Sequence, residues 1–175
     1  TLFPYTTLFR SQQVAGGERD KLVRHATTLR DDYAGTPYAA LAALAAARAA
    51  VDADAPAEAE PWLRWTMNNA DDVQLRHLAR ARLARIVAVG GDVERALELL
   101  DAEVPEAYTA LYAEIRGDLL AERGDAAAAA EAYRRALDAE VSPVDPELLR
   151  RKLNRVEPGG ADGGAGEDAD EAAAG

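Results

Sequence analysis

Residues Pro105 to Val141 read PEAYTALYAEIRGDLLAERGDAAAAAEAYRRALDAEV, and they describe two helices on either side of a Gly124-Asp125 turn. In the first, Tyr108, Leu111, Tyr112, Ile115 and Leu119 recur at steps of one, three and four, so they share a stripe of a helix. Ala129, Tyr133, Ala136 and Leu137 form the matching stripe of the second. Gly124 can take the left-handed conformation that ends a helix, and Asp125 is then placed to accept from the free N–H groups of the helix that follows. Gly117 sits inside the first helix, where the missing side chain lets a neighbour come close.

Gly117, Gly124, Ala129, Tyr133 and Ala136 stand at the offsets of a tetratricopeptide repeat, with Pro143 close to its terminal proline. A second Gly-Asp turn, Gly91-Asp92, lies 33 residues before the first, near the repeat length of about 34. It joins a helix from about Asp72 to Val89, burying Leu75, Leu78, Ala79, Leu83, Ile86 and Val87, to one from Asp92 to about Asp101, burying Val93, Ala96, Leu97 and Leu100.

The earlier pair is more degenerate. Thr36 and Pro37 cap and open a helix over Tyr38 to Asp52, with Leu41, Leu44, Ala45 and Val51 on its apolar side. Its partner carries Ala59, Trp62, Leu63, Thr66 and Ala70 on one face, and Pro61 predicts that it begins near Glu60 or is kinked. Ala59 and Ala96 are 37 residues apart, which places extra residues near Asn68 to Asp72. A first helix from about Gly17 to Tyr33 keeps Leu22, Ala26, Leu29 and Tyr33 on one stripe and ends at Gly35. A last one, opened by Asp145-Pro146, holds Leu149, Leu153 and Val156 inside and Arg150, Arg151, Lys152 and Arg155 outside, as a solvent-facing cap. The expectation is an all-α domain over residues 12–156: tetratricopeptide-repeat-like antiparallel helix pairs in a short right-handed solenoid with a C-terminal capping helix.

Composition agrees with helix. Nearly half of the 175 residues are apolar, but alanine supplies much of that share and aromatics only 6%. Alanine favours helices and their close approach, whereas strands draw on β-branched and aromatic side chains. The net charge of −11 divides unevenly, with six acids and no base from Glu157 onward and 25 acids against 20 bases before it. A mildly acidic folded part speaks against a nucleic-acid partner; a salt-adapted or a GC-rich source would each produce such a bias. There is no cysteine, and no apolar run long enough for a membrane helix.

Both ends stand apart. TLFPYTTLFRS, residues 1–11, holds both phenylalanines of the chain and reads as a translated sequencing adapter or, alternatively, a poorly ordered extension. On the first reading the true N-terminus is missing, and the chain does not begin with Met. Residues 157–175 are Gly, Ala and acid without periodicity, the composition of a disordered tail.

The chemistry-bearing residues are sparse. His25 and His77 are the only histidines, they lie in different units, and neither has a neighbour at metal-ligand spacing. Asp92 and Asp125 follow glycines in equivalent turns and read as helix caps rather than as a carboxylate pair. No phosphate-binding glycine loop is present. Trp62 lies on a buried stripe, which leaves Trp65 as the exposed aromatic. No catalytic residue, cofactor or metal site is therefore expected. A repeat array offers instead a concave surface lined by the first helices of its units. The offsets place Arg48, Arg85, Glu114, Asp118 and Glu122 there, as protein-binding residues or as ordinary solvated charges. The Lys and Asn set that clamps a C-terminal carboxylate in some such domains is absent.

Beyond the generic repeat, DDYAGTPYAALAAL (Asp31–Leu44), LARARLARIVAVGGDVERALELLD (Leu78–Asp101), YAEIRGDLLAERGD with AYRRALD (Tyr112–Asp138) and ELLRRKLNRV (Glu147–Val156) resemble the periplasmic domain of the YfgM family. The resemblance covers about residues 17 to 156, with Gly35-Thr36-Pro37-Tyr38 and Arg116-Gly117-Asp118 its most specific parts. It implies a non-enzymatic ancillary subunit of the SecYEG translocon, anchored in the bacterial inner membrane by one N-terminal helix that this sequence does not contain. It further implies repeats on the periplasmic side, association with the chaperone PpiD, and help in handing over emerging proteins. A soluble cytoplasmic repeat scaffold with an unrelated protein partner is the alternative.

Overall fold

A computed structural model describes residues 4–142 and 144–157. Thr1 to Phe3, Pro143 and Pro158 to Gly175 lie outside the described residues, and with them the repeat-ending proline, most of the acidic tail and the start of the adapter-like stretch. All secondary structure among the described residues is α-helical: α1 (Pro4–Asp32), α2 (Pro37–Asp52), α3 (Pro56–Asn69), α4 (Val73–Val89), α5 (Val93–Leu99), α6 (Glu106–Glu122), α7 (Ala126–Leu137) and α8 (Pro146–Val156). They form two compact units, one up to Val104 and one from Pro105.

The helix ends are built as their residues require. Gly91 and Gly124 have φ of 91° and 86°, and each turn is closed from the aspartate back across it, Asp92 N to Val87 O at 3.2 Å and Asp125 N to Leu120 O at 2.9 Å. Asp92 then accepts from Arg95 N at 3.1 Å and Asp125 from Ala128 N at 3.2 Å, so both act as N-caps. Thr36 accepts from Ala39 N and Asp145 from Glu147 N, opening α2 and α8.

In the first unit α2, α3 and α4 pack in sequence, α1 lies on α2, and α5 lies on α4. The contacts are largely alanine: Ala39, Ala40, Ala43, Ala46, Ala47 and Ala50 of α2 and Ala79, Ala81, Ala84 and Ala88 of α4 are buried. Leu63 and Leu83 are the large side chains fully enclosed there. Thr66, also fully buried, satisfies its hydroxyl by donating to Trp62 O at 3.0 Å. Glu60 of α3 accepts from Arg64 at 2.7 Å and from Arg95 of α5 at 2.9 Å; the Arg64 bond foremost holds its carboxyl below the usual value.

In the second unit α7 packs between α6 and α8. Ile115 and Leu149 are fully buried. Gly117 faces Tyr133, whose ring carbons Cδ1 and Cζ would stand 2.6 and 2.9 Å from a Cβ added there.

Several expectations are corrected. Helix α1 continues well before Gly17, and Tyr33, expected inside, is 55% exposed. On α2 the alanine face packs inward because the smallest side chains allow the closest approach; Leu41, Ala45 and Val51, expected inside, are therefore exposed. Helix α3 begins at Pro56 and runs through Pro61. Both Pro61 and Ala57, whose carbonyl loses its partner, face solvent, where water replaces the missing donor. Trp65 is half-buried, as is Trp62, over which the Arg30 guanidinium sits 5.0 Å from the ring centre. Lys152, expected outside on α8, points inward to α6.

Candidate functional site

The first unit contains a groove between α2 and α4. Both helices press their alanine faces onto α3 and hardly touch one another. The larger side chains on their facing flanks enclose a space of about 330 Å³, lined by Ala47, Arg48, Val51, Leu63, Arg82, Arg85, Ile86 and Val89. Its floor is Leu63 of α3, and Ala47 is buried beside it. Its mouth is Val51 and Val89, which are exposed.

Arg48 and Arg85, both expected on the concave surface, are thus brought to one groove. They lie just before the last turns of α2 and α4. Arg48 donates from Nε to Asp52 at 2.7 Å. Arg82, one turn before Arg85, and the valines of the mouth were missed by sequence reasoning; the i, i+3 and i+4 spacing of Arg82, Arg85 and Val89 was the signal available.

The acidic residues behave differently. Glu114 is buried, and Lys152 Nζ lies 2.7 Å from its Oε1 and 2.8 Å from Asp118 Oδ2. The Tyr133 hydroxyl donates to the other Asp118 oxygen at 2.8 Å. Burial first, and then the Asp118 hydrogen bond, push the Tyr133 phenol well above its ordinary value of 10.0. Glu114 and Asp118 therefore bind the C-terminal helix within their own unit, which corrects the expectation of an open acidic patch; Glu122 is exposed. Sequence reasoning placed Lys152 outside; its spacing of three from Leu149 and four from Val156 was the signal available.

His77 is half-buried, and desolvation, aided by Arg80 and Arg76, holds it below its ordinary value of 6.5. His25 is exposed. Among the described residues no group of three or more metal-ligating side chains is gathered. No described helix is long and apolar enough to cross a membrane.

The model of the tetratricopeptide repeat-like domain family matches residues 5–158. The chain is 29% identical over 119 residues to the ancillary SecYEG translocon subunit of Escherichia coli (strain K12), an overlap covering 68% of this chain and 58% of that protein. It is 32% identical over 131 residues to the protein of the same name from Neisseria gonorrhoeae, covering 73% and 62%. The matched stretch thus spans less than two thirds of the length of either relative. No solved structure matches the chain. With its eight described helices and a family match from residue 5 to residue 158, this chain belongs to the tetratricopeptide repeat-like domain family and meets the YfgM resemblance read from its sequence.

Proposed function

We propose that this chain is the protein-binding repeat domain of a translocon-associated subunit, acting at the periplasmic face of the bacterial inner membrane in the handover of emerging proteins to chaperones of the PpiD type. The observation that supports it most is the similarity to two ancillary SecYEG translocon subunits over 119 and 131 residues. Packing and binding carry this role; no covalent step is assigned to any residue. An alanine-rich stack of helices suits it, because it holds side chains such as Arg48, Arg82 and Arg85 on a fixed surface without spending them on the core.

The test is a cross-linking experiment on a full-length, membrane-anchored form carrying a photoreactive residue at Arg82 or Glu122. Adducts with SecY and with a PpiD-type chaperone, formed from the periplasmic side, are expected. Purification from membranes with an intact translocon that yields neither adduct, or fractionation of the native protein to the cytoplasm, overturns the reading.

A further inference from the structure

Resting on the reading of this chain as a protein-binding module, we propose that the α2–α4 groove takes a partner segment in which aliphatic side chains stand beside a carboxylate. The floor and walls are hydrocarbon: Leu63, Ala47, Ile86, Val51 and Val89. About 330 Å³ is at the small end of the range for ligand sites, room for a pair of aliphatic side chains rather than for a folded element. Val89 at the mouth is 72% exposed, an apolar surface left to water.

The charged side chains that line the groove are arginines, with Asp52 beside Arg48. Arg48, Arg82 and Arg85 line the groove, and no acid does. In a chain of net charge −11 this is a local gathering of cations, and it favours an anionic group at this place. Arg48 engages Asp52 through Nε, and a guanidinium carries five donors, so the Asp52 bond uses a fraction of its capacity. A carboxylate set between α2 and α4 meets arginines from both sides, the arrangement that planar forked donors recognise best.

The groove continues onto an apolar strip, which is why a polypeptide fits better than a small amphiphile. Tyr38, Leu41, Ala45 and Arg48 follow at steps of three and four along one face of α2, and Tyr38 and Leu41 are 71% and 51% exposed. A chain lying along α2 covers this strip with one part and fills the groove with another. The acidic stretch 157–175 of the protein itself is a poorer occupant, since it holds no side chain larger than alanine to fill the apolar floor apart from its acids and one proline.

Binding of a short fluorescent peptide, carrying paired leucines beside paired glutamates, is measured by anisotropy on the whole chain. Arg82→Glu and Val89→Asp, both at exposed positions, are each expected to weaken it about tenfold, with the melting temperature of each variant as the control for folding. Matched peptides with lysine for glutamate or serine for leucine are expected to lose a similar factor. Equal binding of the matched peptides, or unchanged affinity in both variants, overturns the proposal. So does saturation of the groove by a medium-chain fatty acid with no binding of the peptide, or a concentration-dependent dimer that both variants abolish. Tighter binding after removal of residues 158–175 would reassign the groove to that segment. If the anchored protein cross-links to the translocon while the peptide fails to bind, this proposal falls and the translocon reading stands; the reverse pattern rejects that reading and keeps the groove.

Discussion

Lys152 of α8 places its ammonium 2.7 Å from Glu114 of α6, and the carboxylate it meets is almost wholly withdrawn from solvent. One ammonium also reaches Asp118 at 2.8 Å, so the last helix is held to the unit by a shared cation as well as by Leu149. A buried ion pair adds little compared with well-packed hydrocarbon, but removing the lysine leaves a charged carboxylate buried without its ammonium.

Lys152→Met is therefore expected to destabilise the second unit by about 3 kcal/mol, with Glu114→Gln milder because the amide still accepts a hydrogen bond. Denaturant unfolding measures both. If Lys152→Met changes stability by no more than an exposed lysine would, the shared cation does not hold α8.

Gly117→Ala sets two effects against each other. Alanine gains about 1 kcal/mol of helix propensity over glycine, while the added carbon overlaps a Tyr133 ring that is buried and tied to Asp118. Overpacking costs about 1–3 kcal/mol, so the net change is a loss. In a Tyr133→Val background the same substitution becomes neutral or stabilising, and a thermodynamic cycle over the four proteins reads the difference. Equal effects in the two backgrounds would mean that the ring is not what excludes a side chain.

Asp92→Ala and Asp125→Ala are each expected to cost about 1 kcal/mol, and Asp→Asn at either place far less, because the caps work through a side-chain oxygen. Gly124→Ala costs a comparable amount for a different reason: its φ of 86° is strained for any residue with a Cβ. Melting temperatures of the set check both expectations.

His77 supplies a pH dependence. Its folded pKa lies below 6.5, so the unfolded chain binds the proton more readily. Stability from this group is fully present above about pH 6.5 and is lost as pH falls through the folded value. Wild type should therefore lose more stability than His77→Gln between about pH 8 and about pH 5, while an equal loss in both proteins excludes His77 as the source.

Part of the candidate groove was legible in the residues. Arg48 and Arg85 were placed on one surface by counting from the repeat, and the structure brings both to a single groove. The same counting failed for Glu114, because a repeat offset names a helix face and says nothing of which later helix covers it. Burial of Leu41 failed for a related reason: in a helix as rich in alanine as α2, several faces are equally apolar by periodicity, and only packing selects one.

Local chemistry by itself determined where α2, α5, α7 and α8 begin and where α4 and α6 end. Gly91, Gly124, Asp92, Asp125, Thr36 and Asp145 do their work with neighbours a few residues away, so their roles can be read from the chain alone. What the tertiary structure decided is the fate of side chains whose partners are far off in sequence. Lys152 becomes the counterion of a buried carboxylate only because α8 meets α6 across 38 residues, and Arg48 becomes a groove wall only because α4 stands beside α2. Desolvation and close packing, which set both outcomes, exist only once distant helices are in contact.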